Sequence, residues 1–580
     1  MLWTGNLKSL LPQALRRIIR CNRLSISNTS GMAEGYKQAN VVILHKSLAD
    51  DFERFCHANK GPLPLLYRSQ PGDWKCPSLS SDSDIRTDCL QYRLYEHGTF
   101  TRSLKSLKEY AEQLKDMVTF YLGCSFSFEK AQKNAGIKSI PVRNVEQKCN
   151  VSMYKTSVPC YSVSTFCCNL VVTMRPIPAN KLEAAVLATS ELEESHGAPV
   201  HIGNPGLLGI QDLSKPDYGD PVHLHPGDIP VFWACGVTGI EAIINCRSPL
   251  AFTHSPGCMF ITDLKNNEAA VGSSREVPQV HCISQDPLHY SIVSAEAAQK
   301  INTLESLIGI DPGDRGIIHL QHQEELLKSC LSISHAQSVL ITTGFPTHFT
   351  YEPPEENDGP PGAFAIAAML QALEKDVAIV TDQRAMSLNR KIMAEAVQLG
   401  ILKRPIPLLS YQKESTDSAL MFLCENGNCG RPRFDHLIAI ERAGMAADGN
   451  YYNARKVNIK HLVDPIDDLF LAAKTIPGVA TTGVSNWGGY AIACALYILS
   501  TCEIHDRYLR KAVGFPQLSK KMVWLSALPS VTKEEKFLKA LVQHGVRSGK
   551  TASLEMEVDG LPFYNTHSLM IEKLLQEVQQ

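Results

Sequence analysis

The chain has 580 residues, 44% hydrophobic and 20% charged, a globular composition too long for one core, and about 100–200 residues per domain predicts three or four units. Its formal charge of −2 hides an asymmetry: Lys8, Arg16, Arg17, Arg20 and Arg23 fall in residues 1–33 with no acid, leaving 52 basic against 59 acidic residues beyond them. Such a body has no bulk attraction for phosphate backbones, and no apolar run reaches the ~20 residues of a spanning helix, so neither nucleic acid nor membrane is an expected partner.

At the N-terminus Leu7, Leu10, Leu11, Ala14, Leu15, Ile18 and Ile19 recur at helical spacing, with Arg16 and Arg20 on the far side. Pro12 suits a first helical turn. An Arg-rich, acid-free, amphipathic segment has the composition of a mitochondrial presequence, though a surface helix of the folded domain would look similar. Residues 1–33 are therefore expected to be an address outside the fold, with the mitochondrial matrix as the working compartment. The 18 cysteines follow no secretory segment and fit reduced thiols. Cys424 and Cys429 lack a second pair to complete a tetrahedral metal site.

In the first half, 35–284, residues 41–44 read as a buried strand, and Ser47 with Asp50 as a capping box opening a helix. Leu104, Leu107, Ala111, Leu114, Val118 and Tyr121 form an apolar stripe, which predicts a helix ending at Gly123. Residues 124–129 alternate like a short strand, and further strands are predicted at 170–174, 230–233 and 251–263, the last broken by a turn. The sum is a mixed α/β half. Arg175, between the end of a predicted strand and Pro176, could present a cation to a carboxylate or be an ordinary strand-end arginine. His196, His201, His223, His225 and His254 cluster in sequence, and His201 and His254 join Arg175 as candidates for metal or acid–base chemistry.

Gly35-Tyr36-Lys37-Gln38-Ala39-Asn40, the 123–129 run Gly-Cys-Ser-Phe-Ser-Phe-Glu, Val172-Thr173-Met174-Arg175-Pro176 and residues 231–238 resemble the bacterial hydro-lyase-like family. So do residues 196–205 and 216–221. That resemblance implies addition or elimination of water.

The second half, 285–580, alternates clearly: strand 338–343, helix 363–373, strand 377–381, a helix to Gly400, then strands 406–409 and 436–440. This order predicts a doubly wound, mostly parallel α/β domain with ligands at the carboxyl ends of its strands. Asp382 with Arg384 and Glu441 with Arg442 follow two such ends, and Asp358 opens a helix nearby. Two acid–arginine pairs could hold a small amino-dicarboxylate, or each could be a structural ion pair. No phosphate-binding glycine pattern or nucleophile elbow is present.

Thr343-Gly344-Phe345-Pro346, residues 358–362, Glu441-Arg442-Ala443-Gly444, Asp448-Gly449-Asn450-Tyr451-Tyr452-Asn453 and Ser485-Asn486-Trp487-Gly488-Gly489-Tyr490 resemble the second domain of the D-glutamate cyclase family. The resemblance implies an intramolecular dehydration, D-glutamate closing to 5-oxo-D-proline. That chemistry needs a base for the amine and a cation to neutralise the γ-carboxylate, and it favours fixed charges over an organic cofactor. Arg384, Arg442, Asp382 and Asp358 are the expected substrate ligands, and Glu441 or Asp448 the proton carrier. No cofactor is predicted, and a divalent metal stays open. A catalytically silent binding protein and a different hydro-lyase acting through the first half are the alternatives. Similar proteins carry a Gly-Asp-Gly-Gly-Asn-Glu run and a further helix and strand near residue 484. This chain lacks them, which predicts a shortened form with a weakened second half and little cyclase activity.

Overall fold

The computed structural model describes residues 7–21, 28–137, 150–266, 276–314, 316–320 and 322–579. The chain divides into two units: Met1–Val280 with His289–Ile292 and Ile504–Pro516, and His281–Leu288 with Val293–Glu503 and Gln517–Gln580. The division is close to the expected boundary at 284/285, but the first unit also recruits a segment from far downstream.

Unit 1 is built on two antiparallel sheets. The larger joins β1 (Tyr36–His45), β2 (Leu65–Arg68), β3 (Tyr92–Glu96), β4 (Thr99–Leu104), β5 (Met117–Gly123), β10 (Ala251–His254) and β11 (Phe260–Lys265). Its order is β2-β5-β1-β10-β3-β4, with β11 also on β1. The other runs β6-β7-β9-β8, from β6 (Met153–Pro159), β7 (Asn169–Pro178), β8 (His201–Ile202) and β9 (Asp228–Ala234). Side chains of β1 and β5 alternate between two cores: Val42, Leu44, Val118, Phe120 and Leu122 face one, and Val41, Ile43, Met117 and Tyr121 the other. This period of two overrides the helix expected at 104–121, because a segment buried on both faces packs as a central strand. The helical turns there are the 3₁₀ turn Lys108–Tyr110 and the turn Ala111–Leu114. The short strand expected at 124–129 is instead the turn Ser125–Phe128 leading into the helix Glu129–Asn134. The capping box at Ser47 does not form; helix α2 (Ala49–Ala58) follows a 3₁₀ turn, and its N-cap Leu48 offers no side-chain bond.

The N-terminal segment forms the expected amphipathic helix from Pro12. Part of it, residues 1–6 and 22–27, lies outside the described residues, but helix α1 (Pro12–Arg20) is docked in unit 1. Leu15 and Ile19 are buried against Ile261, Met32 and Ala33. Arg16 is fully buried and donates to Ile261 O at 2.8 Å and Asp263 Oδ1 at 2.8 Å, and its Nε reaches Asp82 Oδ1 at 3.1 Å. Arg20 binds Asp88 through Nε at 2.6 Å and Nη2 at 2.8 Å. The basic face thus pairs with acidic side chains of unit 1, as the surface-helix alternative would have it.

Unit 2 carries a five-stranded parallel sheet, order β16-β15-β14-β17-β18, from β14 (Ser338–Thr343), β15 (Asp376–Thr381), β16 (Leu408–Ser410), β17 (His436–Ile440) and β18 (Ala480–Val484). The doubly wound expectation holds, and each predicted strand falls within a few residues of its place. The helices Pro360–Ala372 and Asn486–Thr501 are buried nearly throughout and cross closely at glycines: a Cβ on Gly489 would stand 2.6 Å from Gly362 Cα. The connection expected at 475–484 contains β18, which pairs only with β17 and alternates half-buried with exposed residues.

Because Arg16 holds two partly exposed aspartates, Arg16→Met removes about 2 kcal/mol from unit 1, below the 3–5 typical of fully buried pairs. Urea unfolding of the full chain measures it; an unchanged midpoint would mean that α1 contributes nothing to the fold.

Candidate active site

Arg175 lies inside β7, not at its end as expected. The strand runs on through Pro176 because β6 pairs with β7 only as far as Thr173, so the proline's missing N–H interrupts no ladder on that side. Opposite residues of neighbouring strands share a face, so Arg175 stands with Val231 and Ile202, and Thr173 with Trp233. The guanidinium is 1% exposed, and none of its three nitrogens has a hydrogen-bond partner among the described residues. Its carbon sits 5.0 Å from the Phe128 ring centre, and Glu129 Oε1 is 3.9 Å from Nη2.

Loop chemistry brings the neighbours in. Beyond β5, Cys124 Sγ accepts from Phe126 N at 3.4 Å, and the tight turn delivers Phe128 and Glu129. Ser30 Oγ donates to both oxygens of Glu129, at 3.4 and 3.5 Å. Asn40, on β1, donates to Gly123 O at 2.6 Å and leaves Oδ1 without a partner among the described residues. A Cβ on Gly236 would stand 2.1 Å from Asn40 Nδ2, so only glycine fits there. Thr173 Oγ1 is another buried oxygen with no partner among the described residues.

Burial lowers the affinity of Arg175 for its proton, while Glu129, Cys124 and Cys235 oppose that. Burial also pushes the Cys235 thiol up to about 12 and raises Cys124, so neither supplies a thiolate at neutral pH. A desolvated guanidinium costs several kcal/mol unless an anion completes it. The arrangement can therefore take a carboxylate in the arginine fork, with Glu129 beside it for a cationic or proton-donating group.

The other first-half candidates lie elsewhere. His201 projects from the opposite face of the same sheet, its ring 5.7 Å from Phe232, and donates through Nε2 to Asn204 O at 2.9 Å. His254 accepts from Val41 N at 3.0 Å. Neither approaches the Arg175 nitrogens within hydrogen-bond distance. Among the described residues no three His, Cys, Asp or Glu side chains could hold a metal ion, and every described cysteine is a free thiol. An open cavity of about 360 Å³ in unit 1 is lined by Lys155, Cys160, Cys167, Cys168 and Glu241, but its lysine is already paired with Glu241 at 3.0 Å.

In unit 2 the expected ligands form two groups. Arg442 and Asp382, both nearly buried, make a two-pronged pair at 2.6 and 2.6 Å. Arg442 Nη2 also donates to Asp464 O at 2.9 Å, and Asp464 N to Asp382 at 2.6 Å. Arg384 binds Glu355 Oε1 at 2.6 Å and Leu462 O at 2.9 Å. The forks of both arginines are thus largely occupied, as in the ion-pair alternative. Asp358, with its carboxyl pushed well up by burial and by Asp559, Glu356 and Glu441, lies near Glu441 at the end of β17. Asp448 stands on an exposed turn, held low by Tyr452 and Asn450 at 2.5 and 3.0 Å. A small cavity of about 20 Å³ lies beside Asp382, lined also by Glu355, Glu356 and Thr381.

Glu129, Asn40 and Thr173 were not singled out from sequence. They sit within the motif runs of the first half, but on separate strands and turns that no spacing rule connects.

Fold and site together define a two-unit α/β protein whose first unit carries a buried, anion-seeking arginine. A family model described as D-glutamate cyclase matches residues 118–263, and one described as D-glutamate cyclase-like, C-terminal, matches 304–484 and 481–575. Human "D-glutamate cyclase, mitochondrial" is 54% identical over 617 residues, 99% of each chain. Putative hydro-lyases of Geobacillus kaustophilus (45% over 256 residues, 44% of this chain and 95% of its own) and Bacillus subtilis (44% over 263 residues, 45% and 100%) cover less than half of the chain. The chain belongs to the D-glutamate cyclase family.

Proposed function

We infer that this chain closes D-glutamate to 5-oxo-D-proline and water, and that unit 1 houses the reaction around Arg175. The buried guanidinium, with no hydrogen-bond partner among the described residues, carries the inference. The family model named for the activity covers Arg175, Glu129, Cys124 and Cys235.

Arg175 grips the γ-carboxylate and withdraws its charge, making the carbon a better electrophile. The α-amino nitrogen must lose two protons while the γ-carbon loses one oxygen, and Glu129 is close enough to relay a proton from nitrogen to that oxygen. The C–N bond forms, the C–O bond breaks, and the oxygen leaves as water. Phe128, Trp233 and the neutral thiols surround the charges with a wall that excludes water, and the lower local dielectric strengthens each contact. Holding amine and carboxyl in one folded molecule supplies about 7–11 kcal/mol of the task.

Arg175→Met should lower kcat/KM for D-glutamate by about 10²–10³-fold, with Arg175→Lys recovering little because one ammonium cannot replace a fork. Lactam formation from each glutamate enantiomer is the measurement. Full turnover in Arg175→Met, together with its loss in Arg442→Met, would move the site to unit 2. Calorimetric binding without any lactam would favour a silent binding protein.

The human relative's name supports a mitochondrial protein, and the basic N-terminus supports the matrix. Digestion of organelles with ruptured outer membranes should spare the chain; digestion there would place it outside the matrix.

The second half is proposed to be a shortened form. The alignment with the human relative runs over 617 residues against 580 in this chain, and the second-domain match breaks at residues 481–484, at the half-exposed β18. Restoring the segment should raise the midpoint of unit 2 and leave turnover at Arg175 nearly unchanged. Turnover that appears only on restoration would support the inactive form expected from sequence and place the site in unit 2.

A further inference from the structure

The connection between β6 and β7 carries three thiols, Cys160, Cys167 and Cys168, just beyond the last paired residues of the two strands. Pro159 faces Asn169 in the antiparallel register, so the next residues, Cys160 and Cys168, also stand opposite each other. Cys160 N donates to Cys168 O at 2.9 Å, which extends the pairing by one step. Opposite residues of a hydrogen-bonded pair share a face and lie about 5.5 Å apart at Cα, inside the span that a disulfide bridges. The two thiols are hydrogen-bonded to each other, and both are reduced.

Both arms of this hairpin are tied down. Asn59, which closes α2, holds Tyr161 from two sides, accepting from its N at 2.8 Å and donating to its O at 2.9 Å. Asn245 donates to Cys167 O at 2.8 Å, and Val163 and Phe166 exchange backbone bonds of 3.0 and 2.9 Å across the tip. Phe166 is fully buried against Phe52 and Phe55. Joining the two sulfurs therefore asks for little backbone movement.

The pair is also reachable. Cys160 and Cys168 are 5% and 7% exposed, yet both line the open cavity of about 360 Å³, together with Ser162, Cys167, Asn169 and Asn245. That volume and its polar lining suit a small peptide-like molecule. The Cys160 contact, burial and the Glu241 carboxylate all keep the proton on Cys168, whose Sγ donates to Thr238 O at 3.5 Å. Cys160 is thus the sulfur left to attack, and the Cys168 proton can turn from Thr238 O to a thiolate on Cys160.

We propose that Cys160 and Cys168 form a thiol–disulfide exchange site for a small peptide disulfide that enters through this cavity. Cys160 gives its proton to water and attacks the small disulfide, whose S–S bond breaks as a mixed disulfide forms. The first small thiolate leaves and takes up a proton. Cys168 then gives up its own proton and attacks Cys160 Sγ, which breaks the mixed disulfide and releases the second small thiol. The protein dithiol is oxidised to one disulfide and the small disulfide is reduced to two thiols, so atoms and electrons balance. Nothing in this exchange depends on where the lactam forms.

The test exposes the folded, reduced full chain to oxidised glutathione and maps its cysteines by alkylation and peptide mass. A Cys160–Cys168 link should form in the unaltered chain and equally in Cys167→Ser, because the exposed neighbour takes no part. Cys168→Ser cannot resolve the mixed disulfide, so glutathione on Cys160 should rise about tenfold over the unaltered chain. Cys160→Ser should leave Cys168 unmodified over the same time; glutathione on Cys168 there would overturn the order of attack. The unaltered chain alone decides whether the link forms, so a variant that fails to fold does not blunt the test. Full alkylation of both cysteines, glutathione on Cys167 with no internal link, or a link from Cys160 to any other cysteine overturns the proposal.

Discussion

A guanidinium closed off from water without an anion is among the least favourable groups a protein interior can hold. Around Arg175 the fold gives up several kcal/mol to keep such a group, and the neighbouring structure is arranged to tolerate it. β7 continues through a proline where it has no ladder to lose, Phe128 lies against the guanidinium, and Glu129 stops at 3.9 Å. A shorter, fully bonded approach by that carboxylate would settle the charge and leave no incentive for a substrate. In the proposed site this incomplete pairing would let one carboxylate of a small molecule exchange its water shell for the arginine fork.

The contrast with unit 2 is instructive because the residue type is the same. Arg442 follows a strand in a doubly wound sheet, at the place where such folds collect ligands. Its fork is filled by Asp382, and Asp464 supplies both a carbonyl to the arginine and an N–H to the aspartate. Removing either partner would strand a charge, which makes the pair a structural tie with little left for a ligand. Position in the fold gives Arg442 the better claim, and hydrogen bonding gives it to Arg175.

Much of this architecture is legible from sequence where local and tertiary preferences agree. The inner strands of the parallel sheet of unit 2, β14, β15 and β17, are such a case, since they are mostly apolar and buried, whereas half-exposed β18 reads as a connection. Residues 104–123 are not: Leu104, Leu107, Ala111 and Leu114 carry helical spacing, while β5 is buried on both faces and keeps no polar alternation to betray a strand. Helix α1 shows a different ambiguity. An amphipathic helix with arginines on one side suits a presequence and an acidic patch equally well, and its pairing with Asp82, Asp88 and Asp263 depends on distant segments that spacing does not reveal. Arg175 itself is visible as a candidate, but whether an arginine is paired is a property of distant segments, here Glu129 and the turn that aims it.

The same reasoning bears on how two units came to serve one activity. The chemistry needs a cation, a proton carrier and a dry wall, and in the proposed site Arg175, Glu129, Phe128 and Trp233 would supply these from the first 284 residues. Those residues lie in the half that resembles the free-standing bacterial hydro-lyases. What the longer chain adds to unit 1 is Ile504–Pro516, which touches no atom of Arg175 by hydrogen bond but clamps the loop beside it. A segment placed this way can alter how rigidly a site is held without altering its charges. Arg507 and Tyr508 thus tie a distant stretch of sequence into unit 1 without placing a charge on Arg175.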